Sequence, residues 1–102
     1  MQNEEFDFQV LECVTRALDS WGSAVRDKIF WHLFFYCGMK PSEIGDKVGT
    51  FAKALEDAFG PESIAIEKSI AIELKRKFGI PKTVPSRLIP VLGAISNKLV
   101  VV

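Results

Sequence analysis

An eleven-residue run without a charged side chain, Ile29 to Met39, constrains this chain more than any other feature of its sequence. Its pattern is typical of an α-helix, and it carries five aromatic residues: Phe30, Trp31, Phe34, Phe35 and Tyr36. At 100° per residue, Ile29 and Leu33 share one face, while Trp31 and Phe35 point to the opposite side. A helix that is apolar on two sides needs two apolar neighbours, so we expect the second side to contact another part of the chain or a partner.

The length and the net charge of the chain limit the classes of protein to which it can belong. A chain of 102 residues forms one domain and buries roughly 60 to 70% of its unfolded surface, which suffices for a core without disulfides or zinc. Thirteen basic and thirteen acidic residues give a formal net charge of zero, so no overall field attracts a polyanion. Nucleic acid is therefore not an expected partner.

The sequence predicts a cytoplasmic protein. No uncharged apolar stretch reaches the roughly 18 to 20 residues that cross a bilayer, and residues 1–7 are acidic where a signal peptide would be basic. Cys13 and Cys37 each lie in an apolar helical pattern, which favours two buried thiols over a disulfide in a reducing compartment.

Glycine and proline divide the chain into predicted helices. Glycine favours the left-handed conformation at helix ends, so we expect positive φ angles at Gly60 and Gly79, whereas proline favours the first turn. We predict an all-α bundle of about five short helices, the second and fifth central: from about Asn3 to Leu18, from Ser20 or Ser23 to Cys37, from Pro41 to about Lys47, from Thr50 to Phe59, and from Pro61 to about Phe78.

The C-terminal segment differs in composition from the rest. Three prolines, Pro81, Pro85 and Pro90, fall within ten residues, although apolar residues beyond them keep a helical spacing. We therefore expect a helical domain at 1–80, followed by a proline-containing tail or arm at 81–102. The tail should form a kinked or partial helix that packs on the same domain or on a partner.

No residue pattern indicates catalysis, a cofactor or a metal. His32 is the sole histidine, with no second histidine or cysteine at metal-ligand spacing and no evident nucleophile to serve as its partner. Phosphate-binding glycine loops and nucleophile elbows are absent as well.

Two segments resemble nucleic-acid-binding features. Residues 41–58 have the spacing of a helix-turn-helix, with Gly45 placed to let two helices approach, but Glu56 and Asp57 would face the phosphates. Lys75-Arg76-Lys77 forms a basic triplet, yet cations in the last turn of a helix stabilise its dipole, and Glu73 can pair with Lys77. DNA-associated regulation is thus an alternative rather than the main prediction.

The chain resembles small, uncharacterised archaeal helical domains of the Nitrososphaera-output-domain type. The resemblance covers about residues 10–80 and rests on core and capping residues: Trp31-His32-Leu33 within Val25 to Leu33, then Ile44, Phe51, Leu55, Phe59-Gly60 and Phe78-Gly79-Ile80. It implies a helical fold and transfers no catalytic residue. Some members serve as output modules of signalling proteins, which implies contact between proteins.

These observations predict a non-enzymatic interaction or oligomerisation module. A homodimer, or a complex with another protein, would cover the second face of the aromatic helix, and we expect the interface to contain Trp31, Phe35, Leu88, Leu92 and Ile95. In the competing arrangement, the tail folds back over Trp31 and Phe35 within one chain. A small-molecule-binding protein or enzyme with a pocket between helices is a further alternative.

Overall fold

Five α-helices and two short 3-10 turns account for most of the computed structural model, which describes residues 4–100 and the side chains of residues 5–96. No β-strand occurs within that range, which confirms the predicted all-α class. The elements are α1 (Glu4–Ser20), α2 (Ser23–Cys37), a 3-10 turn (Pro41–Glu43), α3 (Val48–Phe59), a second 3-10 turn (Gly60–Glu62), α4 (Ser63–Phe78) and α5 (Leu88–Val100). Asn3, at the predicted start of the first helix, lies outside the described residues.

Helix α4 lies at the centre of the bundle. It packs most extensively on α1 and also contacts α3 and α5. Ile66, Ile70 and Leu74 recur every four residues along α4, so they share one face, and all three are buried. Ile64 and Ile72 lie on a different side of α4 from these three residues, and both are exposed.

Helix α2 is buried along one face. Ile29 and Leu33 are buried where α2 packs against α1 and α3. The opposite face, which contains Trp31 and Phe35, is exposed. The predicted division of α2 into two apolar faces is confirmed, whereas its predicted central position is wrong, because α2 lies at the side of the bundle.

Glycines with positive φ end three helices. Gly38 ends α2 with φ 59°, Gly60 ends α3 with φ 61°, and Gly79 ends α4 with φ 65°. The backbone N–H of Ile80 then donates a 3.0 Å hydrogen bond to the carbonyl of Lys75, as in a Schellman ending. The positive φ angles predicted at Gly60 and Gly79 are confirmed.

The segment between α2 and α3 corrects the helix-turn-helix prediction. The predicted helix from Pro41 to Lys47 is a 3-10 turn of only three residues, Pro41–Glu43. Helix α3 begins at Val48 rather than Thr50, because the carbonyl of Lys47 already accepts a 3.0 Å bond from the N–H of Phe51. A DNA-reading pair of α-helices is therefore absent from residues 41–58.

Gly45 has a different role from the one predicted. A Cβ atom at Gly45 would lie 3.1 Å from the ring of Phe6, on α1. The small residue thus lets the 41–47 segment pack on α1, and not on a second recognition helix. In the same segment, the backbone N–H of Lys40 and the Lys47 ammonium group lower the pKa of the Glu43 carboxyl.

The C-terminal segment is helical over part of its length, Leu88–Val100, in agreement with the predicted partial helix. Pro90 is the third residue of α5 and lies in its first turn. Backbone N–H groups there have no carbonyl acceptor within the helix, so a proline at this position removes no helical hydrogen bond. The first helical hydrogen bond of α5, from the N–H of Val91 to the carbonyl of Arg87, is intact at 3.1 Å. Helix α5 packs on α3 and α4 as part of the domain.

Candidate interaction surface

Four large aromatic side chains lie exposed together on the second half of α2. We call them the aromatic surface, and their exposed fractions are 61% for Trp31, 67% for Phe34, 59% for Phe35 and 81% for Tyr36. With side chains of roughly 150–250 Å² each, they leave on the order of 500 Å² of aromatic area in contact with solvent. The largest apolar patch on a typical monomer is roughly 300–600 Å² and is often functional.

The rings of the aromatic surface are arranged against one another. Trp31 and Phe35, one helical turn apart, stack with centroids 4.4 Å apart and an interplanar angle of 7°. Phe34 meets Phe35 edge to face at 5.1 Å and 87°. These contacts restrict the rotamers of three exposed side chains. Less side-chain conformational entropy would therefore be lost if a partner bound them.

The stacked pair Trp31 and Phe35, which we call the ridge, stands between two depressions. On one side is a shallow groove of about 370 Å³, lined by Phe30, Phe34 and Pro41 together with Trp31 itself. On the other side, a wider cleft of about 980 Å³ reaches from α2 to the end of α3, where Asp57 and Ala58 lie. Every residue that lines the first groove is apolar.

Charged groups line the wider cleft, where Asp27, Lys28 and Asp57 lie, and are absent from the lining of the first groove. Lys28 Nζ lies 5.1 Å above the ring of Phe59, a cation–π contact that joins α2 to α3. Asp27 precedes it on α2, and its carboxylate lies 3.4 Å from Arg26. From Ile29 to Met39 no charged residue interrupts the apolar stretch.

The structure separates the five residues predicted to form one interface. Trp31 and Phe35 are exposed, but Leu88, Leu92 and Ile95 are buried in the core of this chain, at most 3% exposed. They are buried because α5 packs on α3 and α4, on a different side of the bundle from the aromatic surface. As far as the tail is described, it does not cover Trp31 and Phe35, and Leu88, Leu92 and Ile95 are removed from the predicted interface.

The sequence reasoning missed two members of the aromatic surface, Phe34 and Tyr36. The helical phase of Tyr36 lies near that of the core-facing residues Ile29 and Leu33, so the helical period alone places Tyr36 beside the core. A local signal was available: Tyr36 is two residues before Gly38, where α2 ends. At that point the neighbouring helices no longer cover the side chain, and Tyr36 is the most exposed ring of the four.

A buried carboxylate on α4, that of Glu67, has a structural role. Glu67, on α4, is 7% exposed, and its Oε2 accepts hydrogen bonds from Arg87 Nε at 2.8 Å and from the backbone N–H of Leu88 at 2.9 Å. It therefore caps the first turn of α5 and joins α4 to α5. The hydrogen bond with Glu67 raises the pKa of the Arg87 guanidinium. Because the Glu67 carboxylate already accepts these hydrogen bonds, it is not available to act as a general base.

The nucleophile and metal candidates do not assemble into a reactive site. Burial raises the pKa of the Cys13 thiol, so the reactive thiolate is disfavoured, and Cys13 and Cys37 are both free thiols. The His32 ring packs on Tyr36, with centroids 4.9 Å apart. Among the described side chains, no group of three or more histidine, cysteine, aspartate or glutamate residues could hold a metal ion.

The basic triplet at the end of α4 is held by partners within the chain. Lys75 Nζ donates to the carbonyl of Val84 and, at 3.1 Å, to Ser86 Oγ, which fixes the connection to α5. Arg76 pairs with Glu73 at 3.2 Å. Lys77 lies 3.9 Å from Glu12 on α1, and not beside Glu73 as predicted. The triplet therefore does not form a free phosphate-binding patch.

A comparison of the chain with models of known protein families found no match, and neither did comparisons with curated proteins and with solved structures. The similarity to archaeal output domains thus stays a prediction. Within the described residues, no helix has the length and apolar character needed to cross a membrane.

Proposed function

We propose that this chain is a non-enzymatic helical interaction module that binds a protein partner, either a second copy of itself or a different protein, through the aromatic surface of α2. One observation carries the proposal: four large aromatic side chains are exposed on the second half of one helix, and three of them contact one another, while the core is complete without them. Buried aromatic anchors supply much of the binding energy in protein interfaces.

The order of the aromatic surface supports binding over chance exposure. Single exposed apolar residues occur on most soluble proteins, and Phe8 on α1 is one here, 64% exposed. The α2 rings differ because three of them contact one another in defined stacked and edge-to-face geometries. An aromatic cluster with a groove beside it offers both a projecting group and a recess to a partner.

The resemblance to archaeal output domains agrees with the same kind of role, because it implies contact between proteins in signalling. We place this role in the cytoplasm. Both the family and the location are part of the proposal, and neither is needed for the argument from the surface.

Site-specific photo-crosslinking in the native cells tests the proposal. The photoreactive residue benzoylphenylalanine replaces Phe35 in one variant and Phe8 in the control, since the two rings are exposed to a similar degree and lie on different helices. We expect protein adducts from position 35 and few or none from position 8. Adduct yields that are equal at the two positions would contradict the proposal.

A further inference from the structure

We infer that the partner of the aromatic surface is a second copy of this chain, bound about a two-fold axis with the two α2 helices antiparallel and the ridge of each copy in the groove of the other. This inference rests on the proposed function and names the partner of that surface. Three properties of the surface lead to it: its shape, its charge and its size.

The shape of the surface is self-complementary. The ridge formed by Trp31 and Phe35 projects beside a groove lined by Phe30, Phe34 and Pro41, and all five residues are apolar. A rotation of 180° about an axis through such a surface places each ridge over the groove of the other copy. A closed two-fold contact needs this property, because the same patch must serve on both sides.

The charge distribution permits contact between identical copies. The formal net charge is zero, and the aromatic surface has no charged group from Ile29 to Met39, so two copies do not repel each other as they meet. Charge also selects the orientation. Parallel helices would place Asp27 near its own equivalent and align the two helix dipoles, whereas antiparallel helices oppose Asp27 with the uncharged C-terminal half of the partner helix.

The area of the aromatic surface is compatible with a dimer of moderate affinity. A standard interface buries about 800 Å² on each partner. The four aromatic side chains supply on the order of 500 Å² of it, and the groove-lining residues Phe30 and Pro41 together with Lys28 at the edge of the surface extend the contact. An interface near this size gives a reversible dimer whose aromatic centre carries most of the affinity.

Sedimentation velocity on the purified chain over a wide concentration range tests the inference. We expect a reversible monomer–dimer equilibrium in the wild type, and an increase of at least about 100-fold in the dissociation constant for Trp31→Glu with Phe35→Glu. The matched control, Phe8→Glu, replaces an equally exposed ring on α1 and should dimerise as the wild type does. Helical circular dichroism shows whether each variant is folded. If the double variant is unfolded, Trp31→Ser and Phe35→Ser, each made singly, replace it in the same measurement.

A distance measurement tests the antiparallel arrangement. Spin labels at Ala24→Cys, in a chain with Cys13→Ala and Cys37→Ser, mark the exposed start of α2. With the two helices crossing near residue 33, the rise of about 1.5 Å per residue separates antiparallel labels by more than about 25 Å, whereas parallel labels lie within about 15 Å. Short distances in the dimer would overturn the arrangement.

The outcomes separate this inference from the proposed function. A wild type that stays monomeric at every concentration overturns the self-association, and so does a dimer that the double variant leaves intact. If position 35 then still crosslinks to a different protein in cells, the proposed function holds with another partner. If the monomer instead binds vesicles of phosphatidylcholine and phosphatidylglycerol through Trp31, with no protein adduct at position 35, both the inference and the proposed function fail.

Discussion

Glu67 is a buried side chain whose removal we expect to destabilise the fold. Its carboxylate is buried and accepts hydrogen bonds from Arg87 and from the backbone N–H of Leu88. Glu67→Ala leaves a buried N–H without an acceptor, which costs about 1–3 kcal/mol in the free energy of unfolding measured in urea. Glu67→Gln should lose less, because its amide oxygen can still accept one bond. Glu56→Ala, at an exposed position on α3, is the control and should change stability little.

Two glycines should respond in opposite directions to the same substitution. Gly79→Ala places a Cβ atom on a residue with φ 65° and should destabilise the protein by about 1 kcal/mol. Gly93→Ala lies inside α5, where nothing lies within 4 Å of the new Cβ, and should stabilise it by about 0.5–1 kcal/mol. Thermal and urea unfolding of both variants measure the signs. Destabilisation at Gly93 would show that α5 is not a continuous helix there.

Residue-level features were predictable where their cause is local. The positive φ angles of Gly60 and Gly79 follow from the few residues around each helix end, and the sequence predicted both. The bond between Glu67 and Arg87 joins residues twenty positions apart, so it depends on how α5 docks on α4, which no local pattern encodes. The exposure of Tyr36 likewise depends on where the neighbouring helices stop.

At the scale of the helices, the buried stripe of α4 should carry far more stability than its exposed side. Leu74 is fully buried against the neighbours of α4, so Leu74→Ala should cost about 2–5 kcal/mol by creating a cavity. Ile72→Ala, on the same helix but 39% exposed, is the matched control and should cost much less. Urea unfolding compares the two directly. Equal losses would mean that the helical phase of α4 is wrong.

Helix α5 is expected to be required for folding, because it supplies part of the core. Val91, Leu92 and Ile95 are buried, and removing α5 uncovers the faces of α3 and α4 on which it packs. A chain that ends at Thr83 should lose cooperative unfolding in circular dichroism. Full-length Ile89→Ser, a change at an exposed residue of the same helix, should keep it. A truncated chain that unfolds as cooperatively as the full one would show that the segment is a dispensable arm.

The prolines explain why the sequence alone did not locate the start of α5. Proline disrupts a helix interior but is accepted in the first turn, and the two cases differ only by where the helix begins. Pro90 lies in the first turn because α5 begins two residues earlier, at Leu88, whose backbone N–H donates a hydrogen bond to the Glu67 carboxylate. The start of α5 is thus fixed by a tertiary contact, whereas the boundaries of α2 and α4 were readable from their own glycines.

For the whole molecule, two apolar faces on one helix have separate uses. The face with Ile29 and Leu33 completes the core, and the sequence predicted this division because it follows from the helical period alone. What covers the other face was not predictable, since Leu88, Leu92 and Ile95 fit either a tail over α2 or a helix in the core. In the structure these three residues lie in the core, and the aromatic surface is exposed.

Self-association through that surface should make thermal stability depend on protein concentration. A second copy binds only the folded chain, so mass action raises Tm, by roughly 3–5 °C for each tenfold increase in concentration above the dissociation constant for a chain of this size. Trp31→Glu with Phe35→Glu should show no such slope while keeping the Tm of the dilute wild type, because both residues lie outside the core. Phe8→Glu should keep the slope. A wild-type Tm that is the same at all concentrations would mean that the aromatic surface does not bind a second copy, whereas a large loss of Tm in the dilute double variant would mean that Trp31 and Phe35 stabilise the monomer itself.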